Sequence, residues 1–340
     1  MAYETGSATD WDDFISKLTA FVTTHGGWTD ETAGDSGTPA ADTQCYSKNN
    51  VVVALSWAST PNNIAMYQSL GYVDGAEPNA YTDDSGNGTT SPHNDSYIES
   101  YGRHISDVGD GPFLSYHFFE NDASPAYVHI VLQIAAGIYR HFGFGELDKF
   151  GDWDSASGGE YVYGHKQSTA LSRTGSTLLD GGLGDANPNQ VGKFGATMHM
   201  EDWVNQPVGG KWAVVWGCTL AVDEQGDIGD DTAAVGRIGV VGGHRANFAA
   251  PAFGWQSGGT TSGLIPMYPM MCMYYDWNTK FAYVLGWHKD VRGVNIENFA
   301  GGDSVSIDGD TWVMFPSVQK GSTGAQKTYN QGIAYKKVTA

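Results

Sequence analysis

The stretch "YVHIVLQIAAGIYRHFGFGELDK", residues 127–149, decides the fold of this chain. Read with period two, Val128, Ile130, Leu132 and Ile134 form one wholly apolar face, which has to be core. Tyr127, His129, Val131 and Gln133 form the other, so His129 is expected to face solvent or a partner. Ala135-Ala136-Gly137 turns the chain, and Tyr139, His141 and Phe142 return as the second strand of a hairpin. The same stretch places His129, Arg140 and His141 near Glu146 and Asp148, which raises the question of a catalytic or metal-binding cluster. The spacing argues against one. There is no H-x-x-x-H or H-E-x-x-H pattern, and the two histidines would have to meet across the hairpin. A structural or interface role is the simpler reading. Gly143 and Gly145, with an aromatic between them, suggest a β-bulge rather than a phosphate-binding loop.

Outward from this hairpin, the rest of the chain reads mostly as strand and turn. Apolar residues make up 41% of the 340 residues and aromatics 13%, enough for a sizeable core. Glycine is abundant, with 46 copies placed between short apolar runs and without a collagen period, as a many-stranded protein with tight turns requires. The segments 50–58, 111–120, 211–222, 281–287, 303–316 and 330–338 are β-branched and aromatic runs closed by Gly, Asp or Asn. Asp308-Gly309 lies between two alternating segments, a strong hairpin signal. "IPMYPMMCMYY" (265–275) reads as an irregular buried strand in which methionine fills gaps.

One helix stands out. In residues 10–25, Trp11, Phe14, Ile15, Leu18, Phe21 and Val22 fall on a single stripe. Thr9 or Asp10 can cap its start, Asp12 and Asp13 suit the positive end of its dipole, and Gly26-Gly27 stops it. A shorter helix is expected within "STPNNIAMYQSLG" (59–71), with Thr60 as cap and Pro61 at the first helical position. The expected architecture is mainly β: antiparallel, sandwich-like sheets with an N-terminal amphipathic helix over about 10–25. A soft boundary near 245–265 divides it into a helix-plus-β domain, 1–250, and a C-terminal β module, 251–340.

Charge and cysteine usage narrow the function. Eighteen basic against 38 acidic residues give a formal charge of −20, which disfavours nucleic acid and anionic membranes as partners. No run of 18 or more apolar residues suggests a membrane span, and the start lacks the pattern of a signal peptide. Cys45, Cys218 and Cys272 are odd in number and far apart, so reduced, buried thiols and a cytoplasmic site of folding are expected. There is no nucleophile elbow, Walker loop or dinucleotide fingerprint. The carboxylates Asp83-Asp84, Asp152, Asp154 and Glu201-Asp202 read as solvated loop residues rather than a glycosidase pair. Asp223, Asp227, Asp230 and Asp231 in "DEQGDIGDD" could wrap a calcium ion but lack the spacing of a calcium loop. No residue is assigned a catalytic, cofactor-binding or metal-ligating role, and no cofactor is expected.

Three stretches carry a family resemblance. "MAYETGSATDWDDFISKLTAFVTTHGGWT" (1–29) resembles the start shared by virion structural and tail proteins of tailed bacteriophages. The opening hairpin sequence, followed by "GGEYVYGH" (158–165), is similar to the central β segment of one branch of that group. "VLGWHKDVRGVNIENFAGGDSVSIDGDTWVMFPSVQKG" (284–321) resembles its closing module. The resemblance implies a non-enzymatic virion component, assembled in the bacterial cytoplasm and tail-associated: tail tip, baseplate or fibre attachment. Its partners would be other virion proteins and copies of itself. A receptor- or glycan-binding tail protein, using exposed rings such as Tyr81, Trp153 or Trp255 on host-surface glycan, is the alternative, as is a neck or capsid decoration protein. A virion-associated glycan hydrolase comes last.

Overall fold

The computed structural model describes residues 2–33, 43–57, 64–69, 71–72, 81–82, 103–105, 109–150, 158–167, 174–176, 196–199, 212–217, 237–241, 267–276, 281–316 and 331–338. Of these, 62% lie in strands, so the protein is mainly β. Among the described residues there is one helix, Trp11–Thr24. It is not long and apolar enough to cross a membrane.

The helix forms where its stripe and caps place it. The Asp10 side chain accepts the Asp13 N–H at 2.9 Å, and Thr9 N–H donates to Asp13 Oδ2 at 2.9 Å, closing the first turn. The helix ends at His25, and Gly27 follows with φ +60°. All six stripe residues are buried. Phe14, fully buried, has the rings of Trp11, Phe113, Tyr116, Phe118 and Phe142 around it, at centroid distances from 5.5 to 6.2 Å.

Among the described residues a fifteen-stranded sheet forms the frame, thirteen strands in one path plus Thr174–Ser176 paired with Glu160–Gln167 and Asp148–Lys149 paired with Phe281–Asn295. It starts at Ala2–Ala8 and continues through Phe113–Asn121, the central hairpin Tyr127–Ala135 and Ile138–Glu146, and Glu160–Gln167. It then runs through Ala196–His199, Trp212–Gly217, Arg237–Val241, Met267–Asp276 and Phe281–Asn295 to Gln331–Lys337, Asp310–Pro316 and Ser304–Ile307. The described pairings are antiparallel except for Trp212–Gly217 with Arg237–Val241. A five-stranded sheet, Thr29–Asp30, Thr43–Lys48, Val51–Ser56, Ile64–Ser69 and Arg103–Ile105, lies beside the helix, and Gly71–Tyr72 pairs with Tyr81–Thr82. Helix and five-stranded sheet together cover the apolar face of the hairpin. Val128, Ile130, Leu132, Phe142 and Phe144 share one core with Phe14, Leu18, Tyr46, Val53 and Leu55.

Turn chemistry follows the sequence. Ile307 pairs with Asp310, and Asp308 (φ 52°) and Gly309 (φ 88°) are both left-handed, the signature of a type I′ hairpin. Ala135 pairs with Ile138, with Gly137 at φ +71° between the strands.

Three expectations need correction. The short helix over 59–71 does not form. Residues Ile64–Ser69 are a strand between Val51–Ser56 and Arg103–Ile105, and Thr60 and Pro61 lie outside the described residues. Ile64 and Met66, both fully buried, alternate into the core, and pairing on both sides outweighs local helix preference. His129 does not face solvent. It is fully buried, because the rings of Tyr161, Tyr163 and Tyr335, from later in the chain, lie against it. No bulge occurs at Gly143 or Gly145, whose register with both neighbouring strands is continuous. The N-terminal strand Ala2–Ala8, absent from the sequence reading, is held through pairing with Phe113–Asn121. The boundary expected near 245–265 falls largely outside the described residues, and Arg237–Val241 before it pairs with Met267–Asp276 after it.

Replacing Phe14 with alanine empties the centre of this ring cluster. Denaturant unfolding of Phe14→Ala is expected to show a loss of about 3–5 kcal/mol.

Candidate functional site

His129, Tyr139 and His141 of the central hairpin meet in the layer between its polar face and the closing strands Asp310–Pro316 and Gln331–Lys337. Cross-strand register builds this layer. Tyr3, Phe119, His129, Gly143 and Tyr163 stand opposite one another on five successive strands. Gly143 is the gap in this row. A Cβ there would approach the Tyr163 ring to 2.9 Å, so the missing side chain lets the phenol lie across the strand toward His129. Above the row, Tyr335 stacks on Phe119 at 4.9 Å and 17°, and the Phe315 ring lies 4.6 Å from that of His117.

A hydrogen-bond chain threads the layer, and its direction can be worked out from one end. His141 Nε2 lies 2.9 Å from the Pro316 carbonyl, which can only accept, so Nε2 carries the proton. Burial lowers the His141 pKa to about 4, which keeps the ring neutral and leaves Nδ1 bare to accept from the Tyr335 hydroxyl at 2.8 Å. With its proton so used, Tyr335 accepts from Tyr163, with which it is hydrogen-bonded. Tyr163 in turn accepts from His129 Nδ1 at 2.9 Å. The chain therefore runs His129 to Tyr163 to Tyr335 to His141 to the Pro316 carbonyl. His129 Nε2 is consequently the bare nitrogen, and it is buried without a hydrogen-bond partner.

His117, His129, His141, His288, Tyr127 and Tyr163 are pushed toward their neutral forms. Burial lowers His129 well below the ordinary histidine value and His288 to about 3. His117, which pairs with the Tyr3 hydroxyl at 2.9 Å, is lowered to about 4 by burial and then by Lys337. Tyr127 and Tyr163 are raised well above 10, again first by burial. Tyr127 donates to Asp290 Oδ2 at 2.8 Å.

The acids of the opening stretch lie elsewhere. Glu146 Oε2 accepts the Ala126 N–H at 3.1 Å, and Asp148 Oδ2 accepts Trp287 Nε1–H at 2.6 Å. Arg140, largely buried, donates to the Tyr139 carbonyl at 3.2 Å. The structure thus joins His129 to His141 through two tyrosines and leaves Glu146 and Asp148 outside the layer. Among the described residues, no three His, Cys, Asp or Glu side chains converge as a metal site. Cys45 is fully buried. Asp83-Asp84, Asp152, Asp154, Glu201-Asp202, the 223–231 acidic loop, Trp153 and Trp255 lie outside the described residues, as do the surroundings of the Tyr81 side chain. Sequence reasoning missed Tyr163, His288, Phe315 and Tyr335 as partners. Only the paired glycines hinted that a ring from a neighbouring strand would cross Gly143.

Neither a protein-family model nor a curated protein matches this chain. What the layer can do is therefore read from its geometry. It is a neutral, directional hydrogen-bond chain that fixes how the closing strands sit on the central hairpin.

Two outcomes test this. His117, His129, His141 and His288 have native pKa values below the unfolded value of 6.5, so the unfolded state binds protons that the native state excludes. Their contribution holds above about pH 6.5 and is lost as pH falls toward 4. Urea unfolding at stepped pH should show stability falling across that window, with proton uptake rising toward one per histidine. In Gly143→Ala, the added methyl group meets the Tyr163 ring and the Val128 carbonyl. Urea unfolding should show a loss of about 1–3 kcal/mol or more.

Proposed function

We propose that this protein is a structural, non-enzymatic component of a tailed-bacteriophage virion. It is tail-associated, at the tail tip, baseplate or fibre attachment, and works through contacts with other virion proteins and copies of itself. The reading rests on the sequence resemblance, and one spatial observation supports it. The three stretches that carry the resemblance are far apart in sequence yet pack directly on one another. Residues 1–29 meet the central segment through Phe14 on Phe142, 6.1 Å between ring centroids, and Trp28 on Phe144 at 5.0 Å. The central segment meets residues 284–321 through Asp148 with Trp287, Tyr127 with Asp290, and His141 with the Pro316 carbonyl. Stretches that resemble one family and also form one continuous frame are what a shared structural module requires.

The chemistry of the frame fits the same role. His129, Tyr163, Tyr335 and His141 are buried and hydrogen-bonded in a chain. General acid–base catalysis calls for a group that can reach a substrate and titrates near the working pH. Aromatic surface and net negative charge suit a part that packs against other proteins and stays off nucleic acid.

Mass spectrometry of purified intact particles of the encoding virus is expected to find the chain at a fixed copy number that survives a high-salt wash. Size-exclusion chromatography with light scattering is expected to find the isolated chain as an oligomer. Absence from the particles overturns the proposal.

A further inference from the structure

The exit of the helix holds a second buried ionisable group, away from the histidine–tyrosine layer. Glu120, near the end of Phe113–Asn121, is only 2% exposed, and neither carboxyl oxygen has a hydrogen-bond partner. Its side chain lies under Gly26. A Cβ at Gly26 would stand 2.5 Å from Glu120 Oε1 and 2.5 Å from Trp28 Cδ1, so carboxyl and indole edge flank the space that the glycine leaves open. Trp28 Nε1 is also buried without a partner.

Lys48, at the end of Thr43–Lys48, reaches the same place. Its ammonium donates to the Gly26 carbonyl and, at 2.8 Å, to the Asp122 carbonyl. One cation thus ties the helix exit and the five-stranded sheet to the end of the Phe113–Asn121 strand. A cation also suits the negative end of the helix dipole. Among the described residues, Lys48 and Asp122 bear on Glu120 by charge, and the Tyr127 phenol is coupled to it. Its cross-strand neighbours, Ala2 and Val128, bring none.

This is not a finished ion pair: Lys48 donates to two carbonyls, while the carboxyl beside it has no hydrogen-bond partner. A carboxylate is a far stronger acceptor for an ammonium than a peptide carbonyl. Which of them holds Lys48 therefore depends on whether Glu120 carries a proton. We propose that Glu120, Lys48 and the Gly26 carbonyl form a proton-controlled latch. With a neutral carboxyl, Lys48 clasps the two carbonyls. When the carboxyl releases its proton to solvent, the carboxylate draws Lys48 off them and the helix exit loosens from the strand end.

The working range follows from the surroundings. Burial, opposed by Lys48, pushes Glu120 up to about 7 from an ordinary value of 4.5. A raised acid contributes stability that is complete below its unfolded value and fades as pH rises through its native one. The latch therefore holds in mild acid and releases above neutrality, in the opposite sense to the buried histidines.

The test follows the Trp28 indole N–H resonance in the full chain with ¹⁵N-labelled tryptophan, assigned by its loss in Trp28→Phe. Across the neutral range it is expected to shift with a midpoint near pH 7. Amide exchange at residues 26–29, corrected for its intrinsic pH dependence, is expected to speed up through the same midpoint. In Glu120→Gln both responses vanish, with the resonance at its low-pH position. In Lys48→Met exchange is fast at every pH. No shift in the wild type, or an unchanged shift in Glu120→Gln, overturns the proposal. If Glu120→Gln does not fold, infrared difference spectra of the wild type decide. A protonated buried carboxyl band that disappears through neutrality supports the latch, and its absence in mild acid overturns it.

Discussion

A strand buried on both faces leaves its polar side chains no route to water, and Tyr127–Ala135 is such a strand. Val128, Ile130 and Leu132 on one side and Tyr127, His129 and Val131 on the other are all buried. Bare burial of a hydroxyl or an imidazole costs several times what a hydrogen bond returns, so each polar group needs a partner inside the protein. Asp290 supplies one to Tyr127 and Tyr163 one to His129, while Tyr335 and the Pro316 carbonyl serve His141 on the next strand, all from strands later in the chain. The direction of hydrogen bonding is then fixed by the carbonyl at its end. This ties the position of the closing strands to that of the hairpin more tightly than apolar contact alone, which is indifferent to small slips.

The two layers on the hairpin are built differently. On the apolar side, Phe14 and its neighbouring rings form a close-packed aromatic cluster whose stabilisation comes from area removed from water. On the other side, Phe315 and Tyr335 lie over a row of histidines and tyrosines, combining ring stacking with hydrogen bonds. The aromatic residues described around the hairpin are thereby divided between bulk packing and register. A frame of this kind suits a part that must keep its shape within an assembly, the role proposed for it.

Protons act on this frame in two opposed ways. The layer histidines favour the folded state when neutral, whereas Glu120 favours it when protonated. The two act in different places, one between hairpin and closing strands and the other at the helix exit, so a change of pH redistributes stability within the molecule. The physical origin is the same in both: burial disfavours the charged form, which lowers a base and raises an acid.

The amino-acid sequence by itself determined the elements whose causes are local. The helix was legible because Trp11, Phe14, Leu18 and Phe21 repeat with its period and Asp10 caps it; the turn at Asp308-Gly309 was legible because those residues tolerate positive φ. The alternation of the hairpin and the mainly β class belong with them. Tertiary structure decided which surfaces became interior. His129 reads as outward-facing because nothing within ten residues shows that Tyr161, Tyr163 and Tyr335 will cover it. Ile64–Ser69 became a strand because partners on both sides satisfied its backbone, and Ala2–Ala8 because Phe113–Asn121 did so. Gly143 is a glycine for Tyr163, twenty residues away, and Gly26 leaves space beside Glu120, nearly a hundred away. Sequence periodicity records what a segment does along itself, while the partner of a buried polar atom is set by the chain that folds over it.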